Sequence, residues 1–274
     1  MDRFGLVTFA CLVLVAPAFA SSEAPGGVDP FFGNFKELKG PIHVRARPGW
    51  RSTCLLEQTV ETVEDLAAKQ FVTFDTVVEG TPDAAVIIQT VKGHEDTLES
   101  PALFGYQHRI TLDPSGVPVA TEARAIEGFP ISNRDLRQAA LDGKVDIRDS
   151  IFSGRTFVLG DLINHRSEET FRFLKPILPR NLSMDTMVDH SDSSQLVGLI
   201  ESDQGRPTLL FRLDTDTTNV RRSSATNSVL RGHLLLDIES GLIAGEKWSA
   251  RIDRTSEKPF EIVTKVECFV GSVN

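Results

Sequence analysis

The chain has 274 residues, enough for a normal hydrophobic core in one domain or two intimate halves. Its 29 Lys and Arg stand against 38 Asp and Glu, a net charge of −9, and no basic run exceeds Arg221-Arg222. That balance argues against a nucleic-acid partner, which wants a basic stripe.

Residues 1–20 read as a secretory signal. Arg3 supplies the positive start, residues 6–15 the short apolar core, and Ala18-Phe19-Ala20 the small-x-small cut site. The apolar run is short for a transmembrane span, and no later stretch reaches that length. An uncleaved anchor is the alternative. The mature chain is expected to begin at Ser21 and to be periplasmic or extracellular. Residues 21–41, rich in Gly, Pro and Ser, read as a flexible leader, with docking of Phe31 and Phe32 on the body as the alternative. Residues 42–274 are expected to form a single β-rich domain.

Along that domain, Val72, Phe74 and Val78 alternate with Thr73 and Asp75, so residues 69–79 read as a strand. Residues 54–68 fit a helix by apolar spacing and a strand by Thr and Val content; a meander needs a strand there. A turn at 80–83 leads to the strand 84–88, and 94–105 reads as a loop. In 108–128, Ile110 and Leu112 precede Asp113-Pro114-Ser115-Gly116, and Val117 and Val119 follow it. This is a hairpin with Asp at the first turn position, Pro fixing φ at the second and Gly at the last.

Residues 132–142 predict a helix, with Ser132 as cap and Gly143 as stop; Leu136, Ala139 and Ala140 form its thin apolar face. Residues 144–160 are mixed, with a short strand at 156–159. Strands are predicted at 171–178 and 183–188, a polar turn at 191–194, and a polar loop at 215–228. Residues 232–253 repeat the hairpin of 108–128, with Asp237 to Gly241 as turn. On its return strand Leu242, Ala244, Trp248, Ala250 and Ile252 share one parity, which Glu246 breaks. The last strand, 259–270, alternates, with Phe260, Ile262, Val266 and Cys268 on one side and Glu261, Lys265 and Glu267 on the other.

The hairpins do not repeat alone. Val77-Val78-Glu79 and Leu199-Ile200-Glu201 each lead through a turn into a further strand, 84–88 and 208–213. Glu79 precedes Asp113 by 34 residues (79 to 113) and Glu201 precedes Asp237 by 36 (201 to 237). The reading is a duplicated antiparallel β-meander, halves at about 50–128 and 165–253, forming a curved sheet or half-barrel with the 132–142 helix as link. That helix must bury its apolar face, and a concave sheet is the available place, so it is a candidate lid.

Cys54 and Cys268 are the cysteines left after signal cleavage. In an exported chain they point to one disulfide, with two separate buried thiols as the alternative. No Gly-x-Ser-x-Gly elbow, Ser-x-x-Lys or Gly-rich phosphate loop occurs. The histidines, His43, His94, His108, His165, His190 and His233, form no His-x-x-x-His pair. His108 and His233 open the two hairpins and could meet across a shared face. Asp185, Asp189, His190 and Asp192 offer oxygens to a hard cation, and so do Asp214 and Asp216, though solvated acidic loops explain both groups. Convergent carboxylates for sugar hydrolysis remain open. Asn181-Leu182-Ser183 is a glycosylation triplet in a eukaryotic secretory path. No catalytic residue, cofactor or metal ligand is assigned.

With Leu236-Asp237-Ile238-Glu239-Ser240-Gly241 late in a strand-rich exported chain, the sequence resembles uncharacterised bacterial cell-envelope proteins. More loosely it is similar to the lipoprotein-carrier half-barrels, in which a curved antiparallel sheet wraps an apolar cavity. The resemblance covers the mature chain as a pattern of strands and turns. It implies an apolar ligand, a small molecule or lipid, and no catalytic residues. The expectation is an envelope protein that binds an apolar ligand or a partner protein. The alternatives are a structural envelope protein with a filled core and a secreted hydrolase.

Overall fold

A computed structural model of the chain describes residues 36, 38–62, 66–96, 106–125, 148–164, 167–175, 191–221, 224–254 and 259–273. The expected signal, the 132–142 helix with Leu136, Ala139 and Ala140, and the strand at 183–188 lie outside the described residues. So does most of the leader. Its end is docked, however: Lys36 exchanges backbone hydrogen bonds with Leu199, and Leu38 packs on the core.

Period-two alternation of β-branched and aromatic residues carries most of the described chain into strands. These are β1 (Ile42–Val44), β2 (Trp50–Thr62), β3 (Leu66–Thr81), β4 (Ala84–Asp96), β5 (Tyr106–Leu112), β6 (Pro118–Ala125) and β7 (Arg155–Phe157). They continue as β8 (Leu162–Asn164), β9 (Ser191–Glu201), β10 (Pro207–Arg221), β11 (Ser224–Asp237), β12 (Ile243–Arg254) and β13 (Phe260–Ser272). Two short helices interrupt them, α1 (Arg148–Phe152) and α2 (Glu168–Leu174). Eleven strands form one open antiparallel sheet in the order β6-β5-β4-β3-β2-β13-β12-β11-β10-β9-β8. β1 and β7 pair with each other as a separate ribbon. Within the large sheet, β3 to β6 and β9 to β12 cross in the same sense, and β13 enters between them beside β2.

Arg206, just before β10, lies 4.4 Å from the ring centroid of Trp50, the first residue of β2. Four strand spacings separate β10 from β2, about 19 Å in a flat sheet. Contact across that span requires a strong bend.

The main core lies at the end of the sheet where the two Asp-to-Gly turns sit. The β1/β7 ribbon and α1 plug it there. Val44, Phe152 and Phe157 meet Ile87, Ile110, Leu112, Leu209, Phe211, Leu234, Leu236 and Leu242 from the sheet. Phe152, Phe157 and Phe211 form a ring triad with centroids 4.9 to 6.3 Å apart. The hairpin turns close on the ribbon. Ser153 Oγ donates to the Gly116 carbonyl and accepts from Ala46 N, while Arg47 N donates to the Ser240 carbonyl.

Several local expectations change. Residues 171–178 were expected as a strand, yet 168–174 are helical. Ser167 Oγ caps α2 by accepting from Thr170 N, and Glu168 and Glu169 occupy its first turn. The alternating Phe171 and Phe173 imitate a strand. The polar turn at 191–194 is the start of β9. Of the polar loop expected at 215–228, residues 215–221 and 224–228 are the far ends of β10 and β11, in register out to Arg221 opposite Ser224. Its threonines favour strand conformation, so polarity was no mark of a loop. β4 likewise runs on to Asp96, shortening the loop expected at 94–105.

Candidate functional site

Cys54 and Cys268 face each other on β2 and β13 and are joined by a disulfide, with Cα atoms 4.0 Å apart. It ties the first and last long strands of the sheet together and rests in a small cluster with Val266, Val270 and Phe74.

From that bond toward the end of the sheet away from the plug, the side chains fall into rows. Val60, Ile262, Ala250, Leu230 and Thr215 stand in one row across β2, β13, β12, β11 and β10. Gln58, Thr264, Trp248, Gly232 and Leu213 stand in the row before it. Phe260, Ile252 and Ser228 belong to the row after it. None of these residues carries a charge. They share the face of Leu234 and Phe211, which belong to the plugged core. The rows on the other face are charged. Glu57, Lys265, Lys247, His233 and Arg212 stand in one. Ion pairs lace that face, including Lys69 with Glu57 and Arg231 with Asp214.

The uncharged rows span roughly 19 Å by 13 Å at ordinary strand spacing and rise. Thr264, Ala250, Leu230 and Thr215 in these rows are buried; Val60, Trp248, Ile252, Ile262 and Leu213 are half-buried. Gln58 Nε2 donates to Thr264 Oγ1 at 2.8 Å. The Ser228 hydroxyl is buried without a hydrogen-bond partner.

A concavity of about 140 Å³ lies where β12 leaves β13. β12 pairs with β13 only as far as Gly245 opposite Glu267, whereas β2 follows β13 to Ser272. The Gln204 amide takes the place of the missing strand, donating to the Cys268 carbonyl at 3.0 Å and accepting from Val270 N at 3.3 Å. Beside it Arg206 grips Asp237 through Nε and Nη2, at 2.6 and 2.8 Å, and reaches Glu239. Burial pushes the Asp237 carboxyl up, but the bonds from Arg206 and Ser240 and the guanidinium charge outweigh it and hold it below its ordinary 3.8. The same hydrogen bond from Arg206 to Asp237 raises the guanidinium further. Small-molecule sites usually occupy roughly 300–1,000 Å³. This smaller space, whose Arg206 and Lys265 are matched to Asp237 and Glu267, is a clasp between the hairpin and the seam of the sheet.

Among the described residues the dispersed candidates do not converge. His108 is buried on the core-side face of β5, and His233 lies on the charged face of β11, with the β2/β13 pair between the two strands. The suggested joint histidine site is therefore absent. Asp214 is bound to Arg231 at 2.6 Å. Asp185, Asp189, His165 and His190 lie outside the described residues. Among the described residues no group of three His, Cys, Asp or Glu is placed to hold a metal. Glu246, which breaks the apolar parity of its strand, is a buried carboxylate on the core-side face, between Leu234 and Val266.

Arg155 and the uncharged rows were missed in the sequence. The rows had left a signal, since β13 carries charge at alternate positions only, and Lys247, Arg251 and Asp253 of β12 have the opposite parity to Trp248, Ala250 and Ile252. Reading 215–228 as a loop concealed that β10 and β11 continue the same pattern. No family model matches the chain, and no curated protein matches it.

Proposed function

We propose that the protein is an exported, non-catalytic binding protein of the cell envelope, and that its ligand is an apolar chain laid along the uncharged rows of the sheet. The observation that carries this reading is the separation of the two faces beyond the row that holds Glu246. Over five strands one face bears hydrocarbon, hydroxyl and amide side chains, while the other bears nearly all the charge. A purely structural core would be expected to be dry and aliphatic. Here Gln58, Thr264, Thr215 and Ser228 are interleaved with Leu and Ile, a lining suited to a mostly apolar molecule with some polar tolerance. Export accords with the disulfide, which is retained in oxidising compartments. It also accords with the absence, among the described residues, of a helix long and apolar enough to cross a membrane.

The test is native mass spectrometry of protein purified from its source, followed by addition of dodecanol to any ligand-free fraction. The expected result is a small apolar adduct, or uptake of dodecanol at a one-to-one ratio. A ligand-free mass with no uptake would overturn the reading.

A partner protein is the second reading. It is favoured by Val158, Leu159, Leu162 and Val197, which stand exposed together at the β8 edge. The loop that presents them is held firmly by bonds from Gly160 N to the Leu196 carbonyl and from Leu196 N to the Asp161 carbonyl. A protein-sized adduct in the same spectra, with no small one, would select this reading.

A further inference from the structure

We propose that Arg155 binds the anionic end, a carboxylate or a phosphate, of an amphiphile whose apolar chain lies on the uncharged rows. This rests on the proposed ligand reading and adds the chemistry of the head group.

Arg155 is the first residue of β7 and shares a side of the ribbon with Phe157, two residues on. Its Nε and Nη2 are buried and make no hydrogen bond. The guanidinium lies 4.3 Å from the ring centroid of Phe173 in α2. A ring face stabilises the positive charge but offers the N–H groups no acceptor in the guanidinium plane. Glu169 acts on it by charge alone, without an ion pair, and burial draws the guanidinium below its ordinary value. An arginine does not relieve burial by losing its proton, and a buried cation lacking an acceptor is costly. The two unbonded nitrogens, each with an N–H to give, suit a bidentate oxyanion, the usual partner of a guanidinium fork.

The position connects with the rows. Phe157 touches Phe211 with ring centroids 5.3 Å apart, and Phe211 is two residues from Leu213 on the same face of β10. By strand rise, the reach of the two rings and their contact, the path from Arg155 to Leu213 is no longer than about 26 Å. Arg45 also has a buried nitrogen without a partner. It alternates with the inward Val44, and its Cγ and carbonyl are wedged against Gly116 and Gly241, so it serves packing at the turns.

The experiment compares dodecanoate, dodecyl phosphate, dodecanol and inorganic phosphate by isothermal titration calorimetry. The proteins are the full chain after export, and its Arg155→Leu and Arg155→Lys variants. Wild type should bind the two anionic amphiphiles about tenfold to a hundredfold more tightly than dodecanol, as expected for a charge-assisted bidentate bond, and should not bind inorganic phosphate measurably. Arg155→Leu should erase that preference while leaving dodecanol affinity unchanged. Arg155→Lys should keep part of it, and serves if the leucine variant fails to fold. Equal binding of dodecanol and dodecanoate by wild type, or a preference that survives Arg155→Leu, would overturn the role of Arg155 and leave the apolar site standing. Inorganic phosphate binding as tightly as dodecyl phosphate would overturn the amphiphile in favour of a free-anion site. Binding of none of the four would overturn the ligand reading on which this one rests.

Discussion

Asp113 and Asp237 occupy matching turns, yet their surroundings give them different weight. Asp113 is at the surface. Its Oδ1 accepts from Ser115 N, Ser115 Oγ and Val117 N, and these bonds, led by the Ser115 hydroxyl, hold its carboxyl below the ordinary value. Asp237 is 1% exposed and is also gripped by Arg206. Removing one partner of a buried pair strands the other, at a cost of about 3–5 kcal/mol, whereas exposed turn bonds contribute about 1 kcal/mol. Asp237→Ala should therefore lower unfolding stability about three times as much as Asp113→Ala in urea titrations, and equal losses would contradict this account. Because the folded Asp237 carboxyl sits below 3.8, its stabilisation is fully present above that pH. It is lost as pH falls from there through the folded value. Acid titration of Asp237→Asn should lack this component of the decline.

At the scale of elements, the design turns on how closely the hairpin turns approach the β1/β7 ribbon. Gly241 has φ 73°, and a Cβ there would stand 2.2 Å from the Arg45 carbonyl oxygen. Gly205, in the β9–β10 turn, has nearly the same φ of 72°, but its nearest neighbour would be the flexible Glu201 carboxylate at 3.6 Å. Gly205→Ala should cost about 1–2 kcal/mol from the left-handed backbone alone. Gly241→Ala adds a backbone clash and should cost about 3 kcal/mol or more. Thermal denaturation of the two variants gives the comparison. Similar losses would mean that the turn can move off the ribbon freely.

For the whole molecule, the β2–β13 pair is the seam at which the two runs of strands join, and the disulfide lies within it. The cysteines are 214 residues apart in sequence, so the bond closes a loop spanning nearly the whole described chain. The ideal chain-entropy limit for so long a loop is roughly 5 kcal/mol, and measured losses on removing a native bond run about 2–5 kcal/mol. The Cys54→Ala, Cys268→Ala double variant should lose stability in that range by denaturant titration. It should keep its strand signal in circular dichroism, because the backbone ladder on either side is unbroken. A loss below about 0.5 kcal/mol would mean that the unfolded chain already holds its ends together.

Local alternation and turn chemistry were enough to read the mainly β class, both Asp-to-Gly hairpins, the long last strand and the pairing of Cys54 with Cys268. Each rests on residues near in sequence or on the scarcity of cysteine. Tertiary structure decided the rest. Residues 215–221, 224–228 and 191–194 are strands because neighbouring strands complete their backbone hydrogen bonds, which overrides their polarity. Glu168 to Leu174 is a helix because Ser167 caps it and Phe173 finds the core, although the phenylalanines alternate as in a strand. The uncharged rows exist only once five strands from both ends of the chain lie in register. Arg155 acquires its buried, unpaired nitrogens only when the ribbon and α2 close over it. No single stretch of sequence specifies such coincidences, because the burial of each side chain depends on residues far away along the chain.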